Sequence, residues 1–279
     1  MYKLAVIDID GTLIDNKGNI SEKTKKTILE VTNTGGIVTI CTGRNIRKAL
    51  PVAKKAGITA PIGCIDGAVL VQPQTGNIIE GLELSKSEID FILSATEGKE
   101  LFIEVNTGYF YYKFATAEKE YRYDIYNKRT IQGRIKSFLE GIRYIKNWSE
   151  LKTISAPVYQ IVIAGKTNVI EEIKETIQQG NYNRIDVREH LWERYLFINR
   201  KGGNKSSGVE RLCHYFGITM NETITMGDDR NDIDMLEKAG LGIAMGNAKE
   251  EIQKAADYIT ASNEENGVAL ALEKFFLTK

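Results

Sequence analysis

Ala5 to Asp15 reads AVIDIDGTLID, and two carboxylates, Asp8 and Asp10, stand two residues apart where an apolar strand ends. Residues two apart in an extended chain point the same way, so the spacing crowds the two acids. Like charges about 4 Å apart repel by roughly 4 kcal/mol at an effective dielectric near 20. A bound cation is the leading candidate to offset that cost. Three further clusters carry reactive or ligating groups. Thr42-Gly43-Arg44 follows IVTIC, Lys205 opens a helical stretch, and GDDRND, Gly227 to Asp232, follows TITM. Each falls where an open α/β sheet binds its ligands, at the carboxyl ends of strands.

These residue types suit attack on a phosphate ester, which needs a nucleophile, an acid for the leaving group and cations for the equatorial oxygens. A carboxylate such as Asp8 can attack phosphorus and form an acyl phosphate. Asp10 can protonate the leaving alcohol and then deprotonate the attacking water. Mg²⁺ takes octahedral oxygen ligands and keeps several waters. Asp8, Asp10, Asp228 and Asp232 bring up to four negative charges against one Lys205, an arrangement that a divalent cation makes tolerable.

Alternating strands and helices must position these groups. A strand ending at Asp8 precedes a helix through SEKTKKTILEVTNTGG, capped by Ser21 and stopped by Gly35. GIVTIC reads as a buried strand, followed by a helix through NIRKALPVAKKAG with a kink or break expected at Pro51. IGCI is a third short strand, and GAVLVQPQTGNIIEGLEL a hairpin turned at Gln74 to Asn77. The C-terminal part repeats the style from NKSSGVERLCHYFG to GVALALEKFFL. The expected fold is therefore α/β, a Rossmann-like parallel sheet with helices on both faces. Residues 83–198 have a different texture: a capping box at Ser85 to Glu88, aromatic strands ELFIEV and YFYYKF, then APVYQIVIAG, a helix through VIEEIKETIQ, and a strand near YLFIN. They read as an α+β unit inserted between core segments 1–82 and 199–279.

The whole chain sets bounds on partners. Its 279 residues suit about two domains, and 37 basic residues balance 37 acidic ones. That balance argues against a general nucleic-acid or anionic-membrane binder. No stretch approaches the roughly 20 apolar residues of a membrane span. Asp8 lies too early for a secretory signal, and Cys41, Cys64 and Cys213 show no metal-type pairing. A cytoplasmic protein is the expectation.

The four clusters in this order closely resemble the haloacid dehalogenase superfamily of phosphotransferases. GDDRNDIDMLEKAGLGIAMGNA, and ADYIT followed by NGVA, resemble its Cof-type sugar-phosphatase branch, and the insert lies where a type C2 cap does. The resemblance implies Mg²⁺ bound by the Asp8 carboxylate, the Asp10 main-chain carbonyl and the Asp228 carboxylate, with Asp232 holding a metal-bound water. It also implies that Thr42, Lys205, Asn231 and the Gly43 amide hold the transferring phosphoryl group. Three departures stand out: Asp66 in DGA where Asn is common, Ser206 after the lysine where Gly is frequent, and the additional acid Asp229. They bear on substrate preference more than on activity.

Other signals are weaker. DIDGTLIDNKG has Gly11 at position four of a calcium loop rather than six. GGNKSS lacks the Gly-Lys of a P-loop, and GLGIAMG misses the dinucleotide spacing. His190 and His214 read as surface or packing residues. Arg44 has two open roles, binding substrate or pairing with a carboxylate of the insert. The aromatic and basic run from Tyr109 to Arg129 invites a nucleic-acid reading, but Glu118, Glu120 and Asp124 favour cap core plus a solvated helix face. The expected function is a Mg²⁺-dependent phosphomonoester hydrolase acting on small phosphorylated metabolites such as sugar phosphates. Its rivals are a phosphomutase, which passes the phosphoryl group to a second sugar, and a catalytically silent ligand sensor.

Overall fold

The structure, a computed structural model, describes residues 2–116, 130–180, 182–190 and 194–277. Glu118, Glu120 and Asp124, and with them the expected solvated helix face, lie outside the described residues. The chain forms two units, one of Met1–Glu80 with Asn204–Lys279 and one of Gly81–Gly203.

The first unit is built on strands β1 (Leu4–Ile7), β2 (Ile37–Ile40), β12 (Thr223–Gly227), β13 (Leu241–Ala244) and β14 (Tyr258–Ile259). They form one parallel sheet in the order β14-β13-β12-β1-β2. All four residues of β1 are fully buried, the pattern of a parallel strand covered on both faces. Leu4 and Val6 pack with Val209, Leu212 and Met235 from the helices behind the sheet. Because Ile7 is in register with Ile40 and Met226, the chain leaves β1, β2 and β12 at one common edge. Asp8, Thr42 and Asp228 stand there.

Helix starts are fixed by side-chain caps. Ser21 accepts from Thr24 N–H, Asn45 from Lys48 N–H, and Asn204 from Ser207 N–H, each satisfying an otherwise orphan donor. No break occurs at Pro51: the helix Ile46–Ala56 runs through it. The IGCI strand, β3 (Ile62–Cys64), joins β4 (Val69–Val71) and β5 (Ile78–Gly81) in a separate three-stranded sheet. It meets the parallel sheet at the isolated bridge Cys41–Gly63.

The second unit holds β6 (Leu101–Asn106), β7 (Tyr111–Ala115), β8 (Ile142–Tyr144), β9 (Gln160–Gly165), β10 (Ile185–His190) and β11 (Tyr195–Arg200), in the order β10-β11-β9-β6-β7-β8. Pairing is antiparallel except between β7 and β8. Alternate residues Leu101, Ile103, Val105, Ile161, Ile163, Leu196 and Ile198 point to one face. They pack there against Ile89, Ile92 and Leu93 of the helix Lys86–Ser94, and against Ile170, Ile173 and Ile177 of the helix Thr167–Gln179. No described helix is long and apolar enough to cross a membrane.

Candidate active site

Asp8 is the first residue beyond β1, and its N–H donates to Met226 O. The chain then leaves the extended conformation in a tight turn, Ile9–Leu13, with Gly11 at φ 73°. A Cβ on Gly11 would run into the Asp228 carboxylate, so both its φ and its surroundings call for glycine. This turn corrects the expectation that Asp8 and Asp10 crowd together. The Asp8 side chain is buried at 7% exposure, while that of Asp10 is 62% exposed and faces Arg44. Arg44 Nε donates to Asp10 Oδ2 at 2.7 Å and Nη2 to Oδ1 at 2.5 Å. One partner of Arg44 is therefore a carboxylate of its own unit.

Lys205, the first residue of the helix Lys205–Phe216, is buried, and its Nζ lies 2.8 Å from Asp8 Oδ1 and 2.6 Å from Asp232 Oδ1. The other Asp232 oxygen accepts the N–H groups of Asp228 and Asp229, each at 3.0 Å. Of the about four lone-pair positions on a carboxylate, Asp232 uses three here to organise the turn after β12 and anchor the lysine, which leaves one for a further donor or ligand. Thr12 Oγ1 donates to Asp228 Oδ1 at 2.8 Å. Asn247 Nδ2 donates to Gly11 O at 2.9 Å and lies 3.5 Å from Asp228 Oδ2. Thr42 Oγ1 accepts Arg44 N–H, and Asn231 Nδ2 donates to Asp66 Oδ1. Sequence spacing alone gives Thr12 and Asn247 no role, because nothing in it brings them to Asp228.

A family model for haloacid dehalogenase-like hydrolases matches residues 5–272, nearly the whole chain. The chain belongs to that family. It is 29% identical over 280 residues to 5-amino-6-(5-phospho-D-ribitylamino)uracil phosphatase YitU of Bacillus subtilis, covering 98% of this chain and 97% of the relative. It is 28% identical to phosphatase YwpJ of the same organism, with 96% and 97% covered. A haloacid dehalogenase-like hydrolase from Bacteroides thetaiotaomicron superposes with a TM-score of 0.79 at 26% identity, covering 99% of this chain and all of that one. The parallel-sheet core and the separate, mainly antiparallel sheet are those of this family, and the chain is a phosphatase of the haloacid dehalogenase type.

The electrostatics of this hydrolase centre on one buried lysine among acids. Burial pushes the Asp8 carboxyl up to about 8, against the pull of Lys205. Burial also pushes Asp228 up to about 6, against the hydrogen bond from Thr12. For Lys205 burial favours the neutral amine, but Asp232 and Asp8 outweigh it and hold the ammonium well above its ordinary value. Asp10 goes the other way: burial would raise it, and the hydrogen bonds and charge of Arg44 bring it down. Asp8, Asp228 and Asp232 each offer one oxygen within 4.8 Å of the others'. Three hard oxygen donors, two of them buried, with one ammonium to balance them, fit a divalent cation such as Mg²⁺.

Proposed function

We propose that the protein is a Mg²⁺-dependent phosphomonoester hydrolase that releases phosphate from small phosphorylated metabolites, sugar phosphates in particular, through an aspartyl-phosphate on Asp8. The observation that carries this reading is the buried Asp8 carboxylate, with one oxygen tied to Lys205 Nζ at 2.8 Å. That contact fixes the carboxylate's orientation, so the other oxygen can serve as nucleophile without a conformational search. Mg²⁺, held by Asp8 and Asp228 carboxylates and the Asp10 carbonyl with Asp232 on a bound water, would neutralise charge on the phosphoryl oxygens.

In the first step Asp8 attacks phosphorus and the leaving alcohol takes a proton from Asp10, which must first take that proton up from solvent and release one of its hydrogen bonds to Arg44. In the second, Asp10 removes a proton from water, which attacks the acyl phosphate, and phosphate departs. Lys205, Thr42, Asn231 and the Gly43 amide hold the three equatorial oxygens. Arg44 holds Asp10 through both of its oxygens. The YitU relative is named for a phosphorylated ribityl compound, which supports a phosphate on a small polyol or sugar. On this reading the partner is a small metabolite rather than nucleic acid or membrane. A cytoplasmic setting goes with it, and the three free, buried cysteines suit a reducing compartment.

The test is a panel of phosphorylated metabolites with Mg²⁺, read by phosphate release and by product identity. Stoichiometric phosphate, abolished by EDTA, is the expected result. An isomeric sugar phosphate without phosphate release would indicate a mutase, and no turnover of any compound, aryl phosphate included, would indicate a silent sensor.

A further inference from the structure

Ile65, Asp66 and Gly67 form three successive residues at positive φ, 55°, 51° and 78°. Aspartate visits this region at modest cost, but a β-branched isoleucine does so only where the surroundings hold it there. Here the surroundings are the site segments. Ile65 N–H donates to Arg44 O and Asp66 N–H to Thr42 O, both at 2.9 Å. On the other side, a Cβ on Gly67 would stand 2.7 Å from Gly208 Cα and 3.0 Å from Asn204 O, so the turn lies directly on the helix that carries Lys205. The Asp66 side chain is directed inward, 7% exposed, beside Gly43. Its Oδ1 accepts the Asn231 amide at 3.0 Å.

We infer that Asp66 is a positioning residue that fixes which face of the Asn231 amide meets the phosphoryl group. The Asp66 oxygen is the acceptor of this hydrogen bond, so Asn231 turns its NH₂ toward Asp66. One N–H is engaged, and the second is directed by the plane of the amide. Without this acceptor the amide can rotate by half a turn and offer its carbonyl oxygen to an anionic ligand, which repels it. The strained turn sets the acceptor against both Thr42-Gly43-Arg44 and the Lys205 helix, so Asn231 is referenced to the rest of the site. The inference rests on the proposed role of Asn231 in holding the phosphoryl group.

A competing expectation has the opposite sign. If the Asp66 charge dominated, removing it would tighten the binding of a phosphate dianion. The probe is inorganic phosphate as an inhibitor of aryl-phosphate hydrolysis by the full-length protein with Mg²⁺, and melting temperatures are followed in parallel. Asn231→Ala should weaken phosphate inhibition by about tenfold, the worth of a hydrogen bond to a charged group. Asp66→Gly keeps the positive φ without steric cost and should weaken it by about fivefold, with no further loss when combined with Asn231→Ala. Asp66→Asn, at ease in this backbone region and still offering an oxygen, should restore binding to within about twofold. Tighter binding in Asp66→Asn, or unchanged binding in Asp66→Gly while Asn231→Ala weakens it, would overturn the inference alone. Full additivity in the double variant would do the same. Unchanged inhibition in Asn231→Ala would overturn both the inference and the phosphoryl-site reading on which it rests.

Discussion

Arg44 grips Asp10 in a two-pronged ion pair, Nε to Oδ2 at 2.7 Å and Nη2 to Oδ1 at 2.5 Å. A planar guanidinium fixes a carboxylate in direction as well as in charge, so Arg44 aims Asp10 and holds it ionised, the form the base of the second step needs. Arg44→Ala should lower kcat by about ten- to hundredfold, part of the 10²–10⁴ that general acid–base catalysis supplies. In an Asp10→Asn background, Arg44→Ala should cost little more, since the effect of Arg44 is exerted through Asp10. A rise in KM alone would instead mark Arg44 as a substrate ligand.

Lys205 lies between Asp8 and Asp232, and all three are buried. Removing one partner of such a group leaves charge buried without compensation, typically at a cost of about 3–5 kcal/mol. Lys205→Met should therefore show a loss of that size in chemical denaturation under metal-free conditions. A loss below about 1 kcal/mol would mean that water already reaches the two acids.

Stability without metal should fall as pH rises. The Asp8 carboxyl is raised by burial to about 8 and Asp228 to about 6, against 3.8 for the ordinary group. Above about pH 4 the unfolded chain releases protons that the folded protein still binds, so the unfolded state gains with each increment until the folded values are passed. A divalent cation takes the place of those protons. The Mg²⁺-induced rise in melting temperature should accordingly grow from about pH 6 to about pH 8. Asp228→Asn should raise the Mg²⁺ concentration needed for that rise by at least about tenfold. A shift independent of pH, or one untouched by Asp228→Asn, would contradict the metal assignment.

Much of the core was legible because its signals are local. Buried β-branched strands ending in polar clusters put Asp8, Thr42 and Asp228 at one sheet edge, and Ser21, Asn45 and Asn204 mark helix starts by their chemistry. The direction of Asp10 was not legible, because β1 ends at Ile7 and the turn at Gly11 breaks the two-residue alternation. Nor was the Lys205–Asp232 contact, which joins residues 27 apart through the packing of a helix on the sheet. In the second unit the helix Ile131–Glu140 has no clear sequence signal. Ile131 and Phe138 are 79% and 73% exposed, so its apolar residues do not mark the buried stripe that betrays most helices. Pro51 does not end its helix, because the rest of Ile46–Ala56 packs well enough to retain it, with Ile46, Ala49, Ala53 and Ala56 buried.

The covalent role of Asp8 is the central claim, and Asp10→Asn tests it most directly. p-Nitrophenolate leaves without needing a proton, so the first step should survive in this variant, and asparagine keeps the main-chain carbonyl expected to meet Mg²⁺. Hydrolysis of the aspartyl-phosphate should slow by about 10²–10⁴-fold, the worth of a general base. Rapid mixing with p-nitrophenyl phosphate at saturating Mg²⁺ should then give a burst approaching one equivalent of nitrophenol per enzyme, followed by near-arrest, and Asp8→Asn should give no burst. Steady wild-type turnover in Asp10→Asn, or a burst in Asp8→Asn, would contradict the account.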